Sequence, residues 1–191
     1  MEATQDLLWE QGYSATSPKD IMRRSGAGQG SMYHHFTNKQ ELAVVALECS
    51  AQSMRHDAEK LLATDGSAYE KATAYLRRQR DVLKGCRMGR MTFDADVLNT
   101  PELIEPVKRT FVWLLEALTV LFERGRDQGE FAADIDARNL ASLVVATVQG
   151  GYVLARATRD TDAFDAAVEG AAALLRKATV PLTTEVSDHS E

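Results

Sequence analysis

Residues 25–36, SGAGQGSMYHHF, place three glycines next to an aromatic ring and two histidines. Residues of these types support three kinds of chemistry in proteins. Glycines can form a loop that holds a nucleotide phosphate, histidines can bind a metal ion, and a glycine turn between helices can present a helix to DNA. Each possibility requires different neighbouring elements, so the surrounding sequence decides among them.

The sequence around these glycines disfavours a nucleotide loop and a metal site. A nucleotide loop follows a β-strand. The residues before Gly26 instead predict a helix, because Ser17 is a favourable N-cap and Pro18 suits the first helical position. His34 and His35 would point about 100° apart on a helix and would not share one ion. We therefore expect no metal and no cofactor.

The sequence also lacks motifs for catalysis. It contains no nucleophile elbow, no HExxH motif and no pair of carboxylates at the spacing of a known catalytic site. We expect no enzymatic activity and assign no catalytic residue.

The composition is that of an ordinary globular protein, with 45% hydrophobic and 26% charged residues among 191. The formal net charge of −6 does not by itself indicate a nucleic-acid partner, so charge has to be judged on each face. Two cysteines are too few for a disulfide framework, which favours a cytoplasmic location. We expect no membrane association, because no apolar run approaches the roughly 20 residues of a membrane-spanning helix.

Apolar residues recur at three- and four-residue spacing along most of the chain, as in Ile104, Val107, Phe111 and Leu114. No stretch alternates as a β-strand would. This pattern predicts an all-α fold of about nine helices. Their expected positions are about 2–11, 18–24, 28–34, 38–56, 68–84, 90–98, 102–127, 136–158 and 162–178.

The first 48 residues predict a helix-turn-helix. Two short helices flank a turn in which Gly26 can adopt the left-handed conformation that a sharp change of direction requires. In such a unit the second helix enters the major groove of DNA. Gly28 and Gly30 leave the beginning of that helix without bulk, and Lys19 adds positive charge on the preceding helix.

Residues 10–42, EQGYSATSPKDIMRRSGAGQGSMYHHFTNKQEL, resemble the DNA-binding segment of the tetracycline-repressor (TetR) family. The landmarks, in register and without gaps, are Gly12-Tyr13, Ala15-Thr16, Asp20-Ile21, Gly26, Gly30, Tyr33-His34-His35-Phe36 and Lys39. The resemblance implies a two-domain, all-helical homodimer whose larger C-terminal domain binds a small molecule and thereby releases double-stranded operator DNA.

The same resemblance implies roles for single residues. Tyr33, His34 and Lys39 would contact phosphates. Gln29, Gly30 and Ser31 would lie in the groove. Ser17 would cap the helix before the turn and present its amides to a phosphate.

Three departures from the family pattern bear on DNA binding. The chain begins at Met1 without the basic arm that usually precedes the first helix, so we expect arm contacts to be absent or to come from residues outside this sequence. Gly28 replaces the usual serine cap, which costs only about a few tenths of a kcal/mol. The segment is not net basic, so binding should depend on local charge placement and fall steeply with salt.

The two helices expected at about 136–158 and 162–178 are apolar and rich in small residues. The first carries Leu140 and Val144 on one face and Leu143 and Val153 on another, so it must pack both inward and outward. We expect these two helices to form a four-helix homodimer interface.

Aromatic and flexible apolar residues concentrate in the middle helices, where we expect a ligand pocket. The expected lining residues are Tyr75, Met88, Met91, Phe93, Phe111, Trp113, Leu114, Phe122 and Tyr152, with Gln149 and Arg156 as polar anchors. This lining favours an apolar or aromatic small-molecule effector.

The sequence therefore predicts a DNA-binding domain over residues 1–45, an effector-binding and dimerisation domain over 46–180, and a disordered tail over 181–191. The expected function is that of a transcriptional repressor that binds a palindromic operator as a homodimer and is released by an effector. The alternative is a protein of the same fold that has lost operator binding and acts as a ligand-responsive binding protein.

Overall fold

The computed structural model describes residues 1–26 and 34–180, and within these ranges the chain forms nine α-helices and no β-strand. The predicted all-α fold is confirmed. The predicted helix at about 28–34 and the predicted disordered tail fall mostly or wholly outside the described residues. The helices are α1 Glu2–Gln11, α2 Pro18–Ser25, α3 Lys39–Leu62, α4 Ala68–Arg77, α5 Arg87–Met91, α6 Ala95–Asn99, α7 Pro101–Asp127, α8 Ala137–Thr158 and α9 Asp162–Ala178.

Side-chain caps fix the beginnings of α2 and α3. The Ser17 hydroxyl accepts a hydrogen bond from the Asp20 amide at 3.2 Å, and the Asp20 carboxylate accepts one from the Ser17 amide, which completes a capping box. The Asn38 side chain accepts a hydrogen bond from the Glu41 amide at 2.8 Å and caps α3. At the end of α2, Gly26 adopts a left-handed φ of 67°. The predicted cap at Ser17 and turn at Gly26 are confirmed.

The helix predicted at about 68–84 ends earlier, at Arg77. The Arg80 guanidinium folds back over the end of α4 and donates hydrogen bonds to the carbonyl oxygens of Tyr75 and Leu76. The last carbonyls of a helix have no partner within the helix, so this cationic side chain satisfies them and ends α4. The loop that follows begins at Arg78.

The helix predicted at about 90–98 is two short helices, α5 and α6. The Asp94 carboxylate causes the break, because it accepts hydrogen bonds from the amides of Asp96 and Val97 and starts a new helix. The helix predicted at about 38–56 is longer than expected and continues to Leu62.

The helices pack around two hydrophobic clusters. The smaller one joins α1, α2 and α3 through Leu7, Ile21 and Leu42, with Met22 and Phe36 packed against it. The larger one fills the space among α3, α4, α5, α7, α8 and α9. The N-terminal helices thus have a core of their own while they share α3 with the rest of the molecule.

Helix α8 lies between α7 and α9 in the larger part of the molecule. Its contact with α9 is close because Gly151 faces the Phe164 ring, and a Cβ at this glycine would come within 2.8 Å of a ring carbon. By length and composition alone α8 could cross a membrane, a test that the core helix of a soluble protein also passes. Its contacts with α7 and α9 account for its apolar character.

Candidate DNA-binding segment and ligand cavity

The predicted DNA-binding residues are divided between described and undescribed parts of the chain. Ser17, Lys19, His34 and Lys39 lie in the described part. Gln29, Gly30, Ser31 and Tyr33 lie outside it. Ser17 and Lys19 stand at the beginning of α2, His34 is exposed just before α3, and Lys39 is the first residue of α3. Along the sequence, the described residues therefore flank the stretch in which the groove contacts were predicted.

Most of the positive charge on α2 is neutralised by ion pairs. Arg23 pairs with Asp20 at 2.6 Å, and Arg24 pairs with Glu10 on α1 through two hydrogen bonds of 2.7 and 2.8 Å. No ion pair joins the exposed Lys19 to any residue that the structure describes. Lys19 is therefore the cation on α2 that remains available to an external anion.

Lys39 lies against the ring of Tyr13. Its ammonium nitrogen is 4.0 Å from the ring centroid, a cation–π geometry. Burial lowers the pKa of Lys39, and the carboxylates of Asp94 and Asp96 act in the opposite direction. The ammonium group of Lys39 is thus in contact with Tyr13 and within the electrostatic influence of two carboxylates at the beginning of α6.

Helix α1 is hydrogen-bonded to the loop that precedes α5. The Trp9 indole nitrogen donates to the Gly85 carbonyl oxygen at 3.0 Å. Two residues along, Arg87 pairs with Asp6 at 3.1 Å and lies 4.1 Å from the centroid of the Trp9 ring. Two positions on α1 are therefore tied to residues 85–87.

A second link joins the turn after α1 to the beginning of α6. The Ser14 hydroxyl donates to Asp94 at 2.6 Å and contacts the Asp96 carboxylate at 2.8 Å, and the Ser14 amide also donates to Asp94 at 2.8 Å. Partial burial raises the pKa of Asp94, but the hydrogen bonds from Ser14, together with those from the backbone of Val97 and Tyr13, outweigh it and hold the pKa below its usual value. Asp94 is thus an ionised acceptor for the N-terminal segment.

A cavity of about 380 Å³ lies between α1, α3, α4, α7 and α8. Five residues predicted to line a ligand pocket meet in its wall: Tyr75, Phe111, Leu114, Gln149 and Tyr152. Burial raises the pKa of Tyr152 to about 12 and also raises the pKa of Tyr75. Both phenols are therefore neutral at pH 7 and can donate a hydrogen bond to a ligand.

The other predicted lining residues lie elsewhere. Met88, Met91 and Phe122 are fully buried in the core, where Phe122 packs edge-on against Phe131 at 5.5 Å between ring centroids. Phe93 follows α5 and is 77% exposed, so its ring faces solvent. These four side chains do not line the cavity.

Trp113 and Arg156 are also outside the cavity wall. Trp113 lies partly buried on α7 with the Arg55 guanidinium 5.3 Å from its ring centroid. The Arg156 side chain packs beside Gly85, next to the cavity. Of the two predicted polar anchors, Gln149 lines the cavity and Arg156 borders it.

Several cavity residues were not predicted from the sequence. They are Trp9 from α1, Asp57 from α3, Arg87 from α5, and Arg78 and Arg80 from the loop after α4. On a helix that continued to residue 84, Arg78 and Arg80 would point to different faces. The early end of α4 brings both arginines to one cavity, and no local sequence pattern predicts that end, because it depends on the Arg80 side chain folding back.

Comparison with known families agrees with this architecture. Residues 1–46 match the family described as bacterial regulatory proteins, tetR family, and residues 66–171 match the tetracyclin repressor-like C-terminal domain. The chain belongs to the TetR family. It is a DNA-binding transcriptional regulator with a helix-turn-helix.

Relatives and solved structures of the TetR family match nearly the whole chain. The uncharacterized transcriptional regulator YxaF of Bacillus subtilis is 24% identical over 178 residues, covering 90% of each chain. A TetR regulator from Chloroflexus aurantiacus has the same fold, with a TM-score of 0.83, 27% identity and 93% of each chain covered. FadR of Bacillus subtilis, solved in complex with stearoyl-CoA, has a TM-score of 0.71 at 16% identity, covering 93% of this chain and 96% of its own.

In this TetR-family chain, α8 and α9 each expose a stripe of small and apolar residues. On α8 the stripe recurs at three- and four-residue spacing, which places it on one face. Its members are Ala146, Gly150, Val153 and Ala157 on α8, and Ala166, Gly170, Ala173 and Leu174 on α9. Val153 and Leu174 are more than half exposed, which is unusual for apolar side chains on long core helices.

The described residues offer no group of three or more histidine, cysteine, aspartate or glutamate side chains that could hold a metal ion. His34 and His35 are both exposed, and their rings meet edge-on with centroids 4.9 Å apart. His34 is the last residue of the helix predicted at about 28–34, most of which lies outside the described residues.

Proposed function

We propose that this TetR-family regulator acts in the cytoplasm as a homodimeric repressor that binds a palindromic operator and is released by a small molecule in the cavity. The observation that carries the proposal is the position of Trp9. This residue belongs to α1 of the DNA-binding segment, yet its ring lines the cavity and its indole nitrogen is bonded to the Gly85 carbonyl. A ligand in the cavity would therefore contact the DNA-binding segment directly.

On the DNA side, the proposed phosphate contacts are Tyr33, His34 and Lys39, supported by Lys19 and by the amides at the Ser17 cap. The proposed groove contacts are Gln29, Gly30 and Ser31. Because ion pairs hold Arg23 and Arg24 of α2, few cations remain free near the DNA-binding segment. We therefore expect binding to depend on a small number of well-placed phosphate contacts.

On the dimer side, the exposed stripes of α8 and α9 support a symmetric four-helix interface. An isologous dimer brings the same patch of each protomer together and sets two recognition helices about one DNA turn apart. We propose that residues 46–180 form this dimerisation and effector-binding unit and that residues 1–45 form the DNA-binding unit.

For release, the proposed mechanism is a shift between two arrangements of the N-terminal helices. The links from Trp9 and Asp6 to residues 85–87 hold α1 in one position relative to the cavity. A ligand that displaces these residues would alter the spacing of the two recognition helices. The ligand can change operator affinity only as far as it binds one arrangement of the N-terminal helices more tightly than the other. The FadR structure shows that this fold accommodates a small molecule in a related protein.

The experiment is a gel-shift and fluorescence-anisotropy titration of the full chain against DNA flanking its own gene. We expect Tyr33→Ala and Lys39→Ala to weaken binding to all sequences, because phosphate contacts carry no sequence information. Gln29→Ala should instead change the preference among bases at one position. Equal and uniform losses in all three variants would contradict these roles, and no complex with wild-type protein would favour the ligand-binding alternative.

A further inference from the structure

Two arginines in the cavity wall have hydrogen-bonding capacity that the protein does not use. The Nε atoms of Arg78 and Arg80 are both buried, and neither has a hydrogen-bond partner among the described residues. A buried donor without an acceptor costs about 1–3 kcal/mol. Such a cost is offset when a ligand supplies the acceptor.

The two arginines differ in how their remaining nitrogens are used. The terminal nitrogens of Arg80 donate to carbonyl oxygens at the end of α4, which fixes the position of its guanidinium. Arg78 makes no side-chain hydrogen bond or ion pair with any described residue, and its guanidinium lies 5.0 Å from the Tyr75 ring centroid. Arg80 is therefore preorganised and Arg78 is free to form a bidentate contact.

The carboxylates around the cavity do not neutralise these arginines. Asp81 pairs with Lys84 at 3.8 Å, and the third arginine of the wall, Arg87, pairs with Asp6. Asp57 also lines the neighbouring cavity with Gln5 and Asp6, which places it at the end near α1. The end formed by Arg78 and Arg80 therefore has an excess of positive charge.

The rest of the cavity wall is mostly aromatic and apolar, and it indicates which kind of ligand surface would pack there. Trp9, Tyr75, Phe111 and Tyr152 contribute aromatic surface, and Leu114 contributes aliphatic surface. The volume of about 380 Å³ is near the lower end of the roughly 300–1,000 Å³ of small-molecule sites. These dimensions suit a planar compound with one or two rings.

We propose that the cavity binds an aromatic carboxylate whose anionic group is held by Arg78 and Arg80 and whose ring system lies among the aromatic side chains. The inference rests on the proposed function, because it names the effector class of the same cavity. It keeps the aromatic character of the apolar or aromatic effector expected from the sequence and adds an anionic group, since both arginines come from a loop that the sequence pattern assigned to a helix.

The test is isothermal titration calorimetry of the full chain with 2-naphthoate and with 2-naphthamide, its neutral isostere. We expect the carboxylate to bind at least about tenfold more tightly, the factor that one charge-assisted hydrogen bond supplies. Arg78→Gln should remove most of this preference while it leaves amide binding unchanged, because the terminal nitrogens of the remaining Arg80 already donate to backbone carbonyls. Arg77→Gln is the matched control, because the adjacent Arg77 is exposed, pairs with Glu169 and does not line the cavity.

Circular dichroism shows whether Arg78→Gln folds. If it does not, Arg78→Lys keeps the charge without the bidentate geometry and should retain part of the preference. Equal affinities for the two probes, no binding of either probe, or a full preference in a folded Arg78→Gln protein would each overturn the inference.

Operator release is measured separately, by anisotropy of the protein–DNA complex. Naphthoate that binds with the expected preference but leaves operator affinity unchanged would contradict effector release and leave the ligand class standing. Equal release by the amide and the carboxylate would contradict the ligand class and leave release standing.

Discussion

Asp94 is the residue at which the N-terminal segment meets the rest of the molecule. Its carboxylate starts α6 and also accepts the hydroxyl and amide of Ser14. A carboxylate that accepts several hydrogen bonds is held ionised, and replacing it by a neutral group loses charge-assisted bonds. The consequence is a dependence of stability on pH at this link.

For Asp94→Asn, we expect a loss of about 1–2 kcal/mol in the free energy of unfolding at pH 7, measured by urea denaturation. The folded-state pKa of Asp94 lies below the unfolded value, so its contribution is present above about pH 4 and is lost as the pH falls through the folded pKa. The loss of stability from pH 7 to pH 3 should therefore be smaller in the variant.

The matched control is Asp134→Asn, at an exposed aspartate in the loop before α8. This variant should have wild-type stability at pH 7, because the exposed Asp134 side chain makes no hydrogen bond or ion pair with a described residue. An Asp94→Asn protein that loses as much stability on acidification as the wild type would show that the ionised Asp94 carboxylate does not stabilise the folded state.

Single-residue roles were the hardest to predict from the sequence. Ser17 and Gly26 were predicted correctly, because caps and left-handed turns depend on local chemistry. For the aromatic residues, local chemistry did not predict which side chains line the cavity and which face solvent. Phe93 and Phe111 have the same side chain, but Phe93 faces solvent and Phe111 lines the cavity. This difference depends on how the helices pack together, which no local pattern predicts.

At the scale of elements, the end of α4 determines the chemistry of the cavity. Arg80 donates to the carbonyls of the last turn of α4, and residues 78–81 of the following loop line the cavity. The long amphipathic helices α7, α8 and α9 were predicted from their apolar spacing almost to the residue, since burial of one face fixes them. The end of α4 was not predicted, because it depends on a side chain that folds back from three residues beyond the helix.

For Arg80→Ala, we expect a loss of about 1–3 kcal/mol in the free energy of unfolding, because buried carbonyl oxygens at the end of α4 lose their donors. Arg77→Ala is the control. Its ion pair with Glu169 is exposed, so the expected change is within about 0.5 kcal/mol. Chemical denaturation measures both. Equal losses in the two variants would mean that Arg80 does not cap α4.

At the scale of the whole molecule, the exposed stripes of α8 and α9 require a partner surface under the proposed function. Val153 is 53% exposed on the α8 stripe, and Leu98 on α6 is exposed to a similar extent, 51%, away from it. The two positions therefore provide a matched pair with the same exposure and different expected roles.

For Val153→Glu, we expect the homodimer to dissociate, because a charge would be buried at the centre of an apolar interface without a partner. Leu98→Glu should leave the protein dimeric. Sedimentation equilibrium measures the molecular mass of each variant. A monomeric wild type, or a Val153→Glu protein that remains dimeric, would contradict the proposed interface.

The family and the fold followed from the sequence because the first 46 residues carry a dense local pattern and the helices carry a strong apolar period. The hydrogen bond between the Trp9 indole and the Gly85 carbonyl did not, since the two residues are 76 apart in sequence and no local pattern joins them. A ligand effect on DNA binding requires that the protein binds a defined DNA site. Specific operator binding is therefore the central claim of the proposed function.

The most direct measurement of that claim is an anisotropy titration of the full chain with its footprinted operator and with a scrambled duplex of the same length and base composition. We expect one dimer per operator, an affinity for the operator at least about a thousandfold above that for scrambled DNA, and a logarithmic affinity that falls linearly with the logarithm of salt concentration. Equal affinities for the two duplexes would contradict the central claim.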